Sequence, residues 1–411
     1  MERIILHSDL NNFYASVECL FNPSLRNKPV AVAGDPEQRH GIVLAKNYLA
    51  KGYGIQTGDA LWQARQKCPD IVFVPPHYDR YLDYSRMAHE IYSEYTDQVE
   101  AFGLDECWLD VSGSASLFGP GNKIARDIRK RIKEELGVTC SVGVSFNKIF
   151  AKLGSDMKKP DATTIITKEN FKERVWPLPV SDLLYVGRAT RNTLHRYGIN
   201  TIGRLAETDL KFLQYKFGKI GGMLWAFANG HDTSSVSIAT KSLIKSIGNS
   251  TTTPRDLITD EDVKITLYAL CESVAERLRD NGFRCRTVQI GLRDNTLASY
   301  ERQKGLARAS CTTQDIFTAA FALYKQNKPE KPIRSVSVRA CNLTVLDDVQ
   351  LSLFPEAARS QKQEQLETAI DGIRDRFGHF SIQRGVMLTD LQLSALDAKG
   401  EHIIHPVGFL K

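Results

Sequence analysis

Two short segments of the 411-residue chain place carboxylates in or beside otherwise apolar strands. Asp9 follows the apolar run 4–6, and Asp105 and Glu106 directly precede the apolar run 107–109. A buried carboxylate is costly unless it is paired or bound to a cation. Three carboxylates from two strands would form an oxygen-only site suited to Mg²⁺, and two such ions would clamp a phosphoryl group for in-line transfer. The two segments together therefore predict a two-metal nucleotidyl-transfer site.

Each segment also has a simpler interpretation when it is taken alone. Asp9 could cap a helix that starts near Asn12, and Asp105 with Glu106 could occupy a hairpin turn. For one segment, the simpler interpretation carries as much weight as the metal site. The occurrence of both segments in one chain favours the shared site.

Composition limits the class of protein. A chain of 411 residues indicates roughly two to four domains, and 42% hydrophobic with 25% charged residues indicates an ordered globular protein. The eight cysteines include no C-x-x-C pair, which favours free thiols in a reducing compartment over a disulfide framework or a zinc ribbon. There is no cleavable leader pattern and no apolar run of membrane length. We expect a cytoplasmic protein without a membrane anchor.

The position of the positive charge points to a partner. The net charge is +6, and the whole excess lies between residues 241 and 340, while the remainder of the chain is balanced. A module that lies along a phosphate backbone has this kind of charge distribution. A merely solvated basic surface would have it as well, so the count alone leaves both interpretations open.

Residues 1–165 alternate strands and helices in an order that predicts a ferredoxin-like sheet. The β-α-β-β-α-β order consists of strand 3–9, helix 80–97, hairpin 99–111, helix 121–136 and strand 138–145. Residues 11–76 would then be an insertion after the first strand. In this topology the end of the first strand is next to the central hairpin, so the three carboxylates can share one site.

The rest of the chain divides into a helical segment, a second sheet and a tail. Residues 166–232 read as helices with a hairpin at Gly187, which can bind a phosphate at a helix N-terminus or be an ordinary αα-hairpin. Beyond a polar linker, a second β-α-β-β-α-β order covers the basic segment. Its strand 284–294 alternates, which predicts a basic sheet face with Arg284 and Arg286. An amphipathic helix is predicted near 360–377.

Several motifs in the same order resemble the Y family of translesion DNA polymerases, with similarity to the bacterial DNA polymerase IV and UmuC-like proteins. The resemblance covers roughly residues 1–395. Its motifs are Asp9-Leu-Asn-Asn-Phe-Tyr-Ala-Ser-Val-Glu18, Leu104-Asp-Glu106, Ser141–Lys148, Ala151–Pro160, Lys245-Ser-Ile-Gly248 and Pro254-Arg-Asp256.

The resemblance implies an α+β fold with the right-hand architecture of a polymerase. Its parts would be a ferredoxin-like palm, small fingers, a helical thumb with a helix-hairpin-helix, a linker, a β-α-β-β-α-β little finger and a tail. The corresponding residues are 1–10 with 77–165, 11–76, 166–232, 233–241, 242–345 and 346–411. A monomer that acts on primer-template DNA and deoxyribonucleoside triphosphates is expected.

The resemblance also implies roles for individual residues. The metal ligands would be Asp9, the Leu10 carbonyl, Asp105 and Glu106, which would hold two Mg²⁺ ions, with Mn²⁺ able to substitute. The incoming nucleotide would be contacted by Asn12, Phe13, Tyr14, Tyr48, Lys51 and Lys159, with Tyr14 as the steric gate against a 2′-hydroxyl. DNA would be contacted at Gly187, Lys245, Arg255, Arg284 and Arg286. As alternatives, Tyr14 could be a core aromatic, Tyr48 could pack, and the lysines could be solvated.

Three positions depart from the family pattern. Asn11 stands where many relatives have an Asp, Lys51 replaces a more usual Arg, and Gly103 replaces a common Ser. Lysine offers a point charge where arginine offers a bidentate fork, so triphosphate binding would differ in strength or geometry. None of the three changes removes a primary metal ligand, and activity is still expected.

The peptide Gln350-Leu-Ser-Leu-Phe354 resembles the motif that docks bacterial polymerases on the sliding clamp. Leu351, Leu353 and Phe354 would be apolar anchors and Gln350 a polar anchor, as a groove-docking peptide requires. Alternatively, the peptide could be a strand that covers the basic domain.

The function predicted from these features is low-fidelity, template-directed DNA synthesis past damaged bases. The acidic residues outside the palm form no second metal-like pattern, so no 3′–5′ exonuclease is expected. Three alternatives remain open: a non-catalytic, clamp-bound DNA-binding factor, another two-metal palm enzyme such as a nucleotide cyclase, and a transferase restricted to one nucleotide. Neither the cyclase nor a similar enzyme would need the Gly187 hairpin, the basic domain or the clamp peptide.

Overall fold

A computed structural model describes residues 3–34, 41–237, 244–345 and 355–398, with side chains from residue 361 onward in the last range. The described residues form two compact units. The first contains residues 3–34 and 42–237, and the second contains residues 244–345 and 355–398. Within these residues, every helix is too short or too polar to traverse a lipid bilayer.

The first unit combines two sheets with twelve helices among its described residues. Its strands are β1 (Ile5–Leu10), β2 (Val30–Ala33), β3 (Val43–Lys46), β4 (Val72–Val74), β5 (Val99–Ala101), β6 (Glu106–Asp110), β7 (Cys140–Ser145) and β8 (Thr163–Ile166). Its helices are α1 (Phe13–Phe21), α2 (Tyr48–Gly52), α3 (Leu61–Lys67), α4 (Tyr78–Ser93), α5 (Ala115–Phe118), α6 (Gly121–Leu136), α7 (Lys148–Met157), α8 (Phe171–Val175), α9 (Arg188–Arg196), α10 (Ile202–Glu207), α11 (Leu210–Phe217) and α12 (Lys219–Ala228).

The larger sheet is the predicted palm. Its order is β5-β6-β1-β7-β8, and all neighbours are antiparallel except the parallel pair β7–β8. Helix α6 buries Ile124, Ile128 and Ile132, and their four-residue spacing puts one apolar stripe into the core. The ferredoxin-like order is confirmed, with β8 as an additional edge strand.

Helix α1, which we predicted as part of the fingers, packs against α4 and also against strands β2 and β3 of the small sheet. Its residues Phe13, Ala15 and Val17 belong to the same core cluster as α4 and α6. The small sheet β3-β2-β4 has a core cluster of its own with α2 and α3. The apolar pattern of α1 shows which face is buried, whereas only the tertiary structure shows what covers that face. The predicted boundary between palm and fingers stays a prediction.

The helical segment α8–α12 shares one core cluster with part of α7, as expected for a thumb. Gly187 is the N-cap residue of α9, so the predicted hairpin turn is present immediately before this helix. Tyr185 lies in the turn with φ 70°, a left-handed conformation that is unusual for an aromatic residue. A tyrosine at position 185 thus occupies a backbone conformation that glycine adopts more readily.

The second unit contains the second sheet predicted from the sequence. Its elements are β9 (Ser246–Leu257), α13 (Asp260–Asp280), β10 (Phe283–Asp294), β11 (Ser299–Ser310), α14 (Thr313–Gln326), β12 (Ile333–Val345), α15 (Pro355–Phe377) and α16 (Leu391–Ser394). The sheet order is β11-β10-β12-β9, and all pairs are antiparallel. Residues of α13 and α14 form most of the helical side of the core.

Helix α15 is an integral part of the second unit. The guanidinium group of Arg279 on α13 contacts Asp371 at 2.6 Å and Glu367 at 2.8 Å. Arg374 contacts Glu272 at 2.9 Å, and both side chains are nearly inaccessible to solvent. We predicted the amphipathic helix within a tail, and these buried ion pairs show that its described part is fixed to α13.

Two arginines predicted to contact DNA form ion pairs within the second unit. Arg284 pairs with Glu364 of α15 at 2.7 Å, and its side chain is only 17% exposed. Arg255 pairs with Asp262 at 2.8 Å and with Asp390 at 2.6 Å. Strand alternation predicted Arg284 on a basic sheet face but could not reveal an ion-pair partner from a distant segment. The DNA contacts of both arginines stay predictions.

We expect Arg279→Met to lower the free energy of unfolding of the second unit by about 3 kcal/mol, because Glu367 and Asp371 would keep buried charge without this partner. Urea denaturation of the full chain, followed by circular dichroism, measures the change. Lys264→Met is the control, since it removes a surface pair with Glu261 and should cost less than about 1 kcal/mol. Equal effects of the two changes would contradict the prediction.

Candidate active site

The antiparallel register of β1 and β6 brings the acidic segments together. Asp9 lies directly opposite Glu106 in this register. The backbone N–H of Leu10 donates a hydrogen bond of 2.8 Å to the carbonyl oxygen of Asp105, which fixes the turn before β6 against the end of β1. The three carboxylates predicted from the sequence are therefore neighbours at one end of the palm sheet.

Lysines from the segment after β7 neutralise two of the three carboxylates. The Lys159 ammonium group donates to Asp9 Oδ2 at 2.8 Å and also contacts Asp156 at 3.0 Å. Lys152, on α7, donates to Glu106 Oε2. Lys159 was expected at this site from its motif, whereas Lys152 was not predicted, although it lies within the motif Ala151–Pro160.

A buried histidine lies behind Glu106. His7 Nε2 is 3.5 Å from Glu106 Oε2, and His7 Nδ1 is 2.9 Å from the hydroxyl of Ser155. Burial, reinforced by the positive charge of Lys152, lowers the pKa of His7 well below its usual value. The imidazole is therefore neutral at pH 7, and it adds no positive charge to the acidic cluster.

The surroundings of Asp105 disfavour the ionised form of its carboxyl group. Burial, together with the negative charges of Asp9 and Glu106, raises the pKa of Asp105 to about 7. Burial also raises the pKa of Asp9, against the opposing effect of Lys159. Negative charge thus accumulates here beyond what the two lysines compensate.

This donor set fits divalent cations of the hard, oxygen-binding type. All three side chains offer carboxylate oxygens, and the raised pKa of Asp105 is the signature of a group that gains from a nearby positive charge. As the side chains stand, no group of three or more His, Cys, Asp or Glu residues in the described ranges is arranged to hold a metal ion.

Tyr48 lies beside the acidic cluster, on the short helix α2 that also carries Lys51. Burial raises the pKa of the Tyr48 hydroxyl, and the charges of Lys159 and Asp9 act on the same group, so Tyr48 is close to both. The Lys51 ammonium group is 5.7 Å from the centre of the Tyr48 ring. A phenol and two ammonium groups are suitable partners for phosphate oxygens.

The turn between β1 and α1 presents Tyr14 to this site. Asn12 adopts a left-handed conformation with φ 49° as the N-cap residue of α1, and Phe13 is buried in the palm core. Burial raises the pKa of Tyr14, and the charge of Asp105 contributes, so the phenol lies near the carboxylates. The ring of Tyr14 stacks on Tyr81 with a centroid distance of 4.1 Å.

Two of the three departures from the family pattern have local explanations. The Asn11 amide donates to Ser141 at 3.0 Å and accepts from Thr139 at 3.0 Å and from the Asp161 N–H at 2.9 Å. A carboxylate could not supply the donated bond, so asparagine suits this position. At Gly103, a Cβ atom would lie 3.0 Å from Asp105 Oδ1, so glycine leaves room beside that carboxylate.

The residues predicted to contact DNA are separate from this cluster. Gly187 starts α9, and a side chain there would point into open space. Lys245 and Arg286 are exposed, whereas Arg255 and Arg284 are ion-paired as described above. Gln350, Leu351, Leu353 and Phe354 lie outside the described residues.

Comparison with known proteins identifies three matching regions. Residues 8–156 match the impB/mucB/samB family, residues 244–353 match the C-terminal domain of that family, and residues 181–232 match the thumb domain of DNA polymerase-iota. A curated DNA polymerase IV of Acetivibrio thermocellus is 53% identical over 399 residues, covering 96% of this chain and 100% of the relative. DNA polymerase IV 2 of Bacillus subtilis is 40% identical over 395 residues, covering 94% of this chain and 95% of the relative.

A solved structure supports the fold. A Y-family DNA polymerase chimera superposes with a TM-score of 0.74 at 22% identity, covering 83% of this chain and 99% of the chimera. At that identity the likeness concerns the fold alone. It agrees with the α+β architecture of palm, thumb and second sheet described above.

We expect Asp105→Asn to stabilise the metal-free protein at pH 8 by on the order of 3 kcal/mol, because the folded carboxyl has a pKa of about 7 against about 4 when unfolded. The destabilisation caused by ionising Asp105 is absent at acidic pH, where the carboxyl is protonated in both the folded and the unfolded protein. This destabilisation grows as the pH rises to about 7. Urea denaturation in EDTA at several pH values between 5 and 8 measures the difference. A stability difference independent of pH would contradict the assigned cause.

Proposed function

The chain belongs to the DNA polymerase IV group of Y-family DNA polymerases, and we propose that it copies primer-template DNA past damaged bases with low fidelity and without proofreading. The main support is the β1–β6 register, since Asp9 and Glu106 are opposite each other and Asp105 is fixed beside them. Carboxylates clustered at the end of a palm sheet suit a phosphoryl-transfer reaction that depends on divalent cations.

In this proposal, Asp9, Asp105, Glu106 and the Leu10 carbonyl would hold two Mg²⁺ ions, with Mn²⁺ able to substitute. When bound, such cations supply a lowered pKa for the primer 3′-hydroxyl and charge stabilisation for the departing pyrophosphate. Lys152 and Lys159 contact Glu106 and Asp9 in the metal-free protein, so each of these carboxylates has a cationic partner before a metal ion binds.

The incoming deoxyribonucleotide would be held by residues around the cluster. Tyr48, Lys51 and Lys159 would bind the triphosphate, together with the backbone N–H groups of Asn12 and Phe13 at the start of α1. Tyr14 would lie under the sugar and exclude a 2′-hydroxyl. The stacking of its ring on Tyr81 supports this assignment, because a steric barrier must be rigid.

DNA would contact the thumb and the second sheet. The N-terminus of α9 at Gly187 offers backbone N–H groups to a phosphate, and exposed Lys245 and Arg286 offer charge. Arg255 and Arg284 could take part only by giving up ion pairs. The protein would work as a cytoplasmic monomer, held on a bacterial sliding clamp through Gln350, Leu351, Leu353 and Phe354.

We expect primer extension with Mg²⁺ and all four deoxyribonucleotides on undamaged and abasic templates. Asp105→Ala/Glu106→Ala should lower the rate by roughly a thousandfold or more, because cation binding contributes several kcal/mol to transition-state stabilisation. Asp70→Ala/Glu134→Ala is the control, since both carboxylates are exposed. Each deoxyribonucleotide is also supplied alone to test for a transferase restricted to one nucleotide.

Two results of this assay would contradict the proposal. Absence of extension even with sliding clamp present would favour the non-catalytic DNA-binding factor. Extension that survives the double substitution would show that these carboxylates do not carry the reaction. Cyclisation of a nucleotide without primer would instead indicate a cyclase.

We expect Leu353→Ala/Phe354→Ala to weaken binding to a bacterial sliding clamp by at least about tenfold, because truncation of apolar anchors removes most of the binding energy of a short peptide. Surface plasmon resonance with immobilised clamp measures the affinity. Ser352→Ala, at a non-anchor position of the same peptide, is the control. Unchanged affinity in the double variant would exclude this peptide as the docking site.

A further inference from the structure

Glu18 is a buried carboxylate that takes no part in the chemistry described so far. It lies on α1 four residues after Tyr14, so the two side chains project from the same face of the helix. Glu18 is only 2% exposed. A charge this deeply buried requires several hydrogen bonds to be tolerated.

Three donors from the start of α4 and the residue before it satisfy Glu18. Its Oε1 accepts from the Tyr81 hydroxyl at 2.6 Å and faces His77 Nδ1 at 2.9 Å. Its Oε2 accepts from Arg80 at 3.1 Å, and the Arg80 guanidinium group lies 4.3 Å from the centre of the Phe21 ring. Glu18 therefore joins α1 to α4 through directed, charge-assisted bonds.

Tyr81 links Glu18 to Tyr14. The rings of Tyr14 and Tyr81 are stacked at 4.1 Å with only 8° between their planes. Tyr81 is fully buried and its hydroxyl donates to Glu18, so both packing and this hydrogen bond restrain the ring on which Tyr14 stacks. Tyr78 meets the Tyr14 ring edge-on at 6.1 Å, which confines it from a second side.

We propose that Glu18 and Tyr81 are positioning residues for sugar selection, because together they set the height and tilt of the Tyr14 ring. The ligands discriminated are ribonucleoside and deoxyribonucleoside triphosphates, which differ by one 2′-hydroxyl. A steric barrier excludes one oxygen atom only if the barrier cannot move by a comparable distance. This inference rests on the proposed polymerase function and on Tyr14 as the gate.

A purely structural role for Glu18 predicts a different outcome. If Glu18 only stabilised the junction of α1 and α4, its substitution would reduce the amount of active enzyme. That loss would lower kcat/KM for both classes of nucleotide by the same factor. A positioning role instead raises kcat/KM for the ribonucleotide, so the ratio of the two values separates the roles.

The test measures kcat/KM for a deoxyribonucleotide and the ribonucleotide of the same base in primer extension. The variants are Glu18→Gln, which disrupts the acceptor set, Tyr81→Phe, which keeps the ring but removes its hydroxyl, and Tyr14→Ala as the reference without a gate. We expect each of the first two to reduce discrimination roughly tenfold, the scale of one hydrogen bond to a charged group. The reduction should be largest in Tyr14→Ala.

Two further variants make the test specific. Tyr95→Phe removes a hydroxyl from another buried palm tyrosine, which belongs to the same core but has no ring contact with Tyr14, and it should keep the wild-type ratio. Tyr14→Ala/Glu18→Gln should have the ratio of Tyr14→Ala alone, because Glu18 has nothing left to position.

The assay distinguishes failure of the proposed function, of the Tyr14 assignment and of the inference on Glu18 and Tyr81. Absence of extension by the wild type contradicts the proposed function. A wild-type ratio in Tyr14→Ala contradicts Tyr14 as the gate and removes the basis of the inference. Loss of discrimination in Tyr14→Ala, with wild-type ratios in Glu18→Gln and Tyr81→Phe, overturns the inference itself.

Discussion

The mutual repulsion of three carboxylates at the end of β1 and β6 is the constraint on which the rest of the site depends. Asp9 and Glu106 are opposite each other in the register, and the backbone bond between Leu10 and Asp105 prevents the third carboxylate from moving away. Burial and this crowding raise the pKa of Asp105 to about 7. Such an arrangement is stable only if positive charge is supplied from nearby.

The structure supplies part of this charge from one segment. Helix α7 and the residues after it contribute Lys152 to Glu106 and Lys159 to Asp9. The segment is held in place by β7, which pairs with β1 on the side opposite β6. Strand β1 lies between β6 and β7. It therefore places Glu106, on β6, within reach of the lysines that follow β7.

Helix α1 connects the palm core with the small sheet β3-β2-β4. It carries Tyr14, whose ring stacks on Tyr81 of α4, and it also contacts strands β2 and β3 of the small sheet. Tyr48 and Lys51 belong to α2, which packs against the same sheet. The groups proposed to contact the sugar and those proposed to contact the triphosphate are therefore both carried by helices that contact the small sheet.

The sequence by itself determined the periodic and local features of this protein. Alternation and helical spacing predicted the palm strands, the two β-α-β-β-α-β orders and the amphipathic helix, because these patterns depend on residues close in the chain. The motifs identified Asp9, Asp105, Glu106, Tyr14, Tyr48 and Lys159, which the fold brings into one cluster. Only the tertiary structure decided the partners of charged side chains. Glu18 with Tyr81, Glu106 with Lys152 and Arg284 with Glu364 join residues 46 to 80 positions apart, and no local pattern encodes such distances.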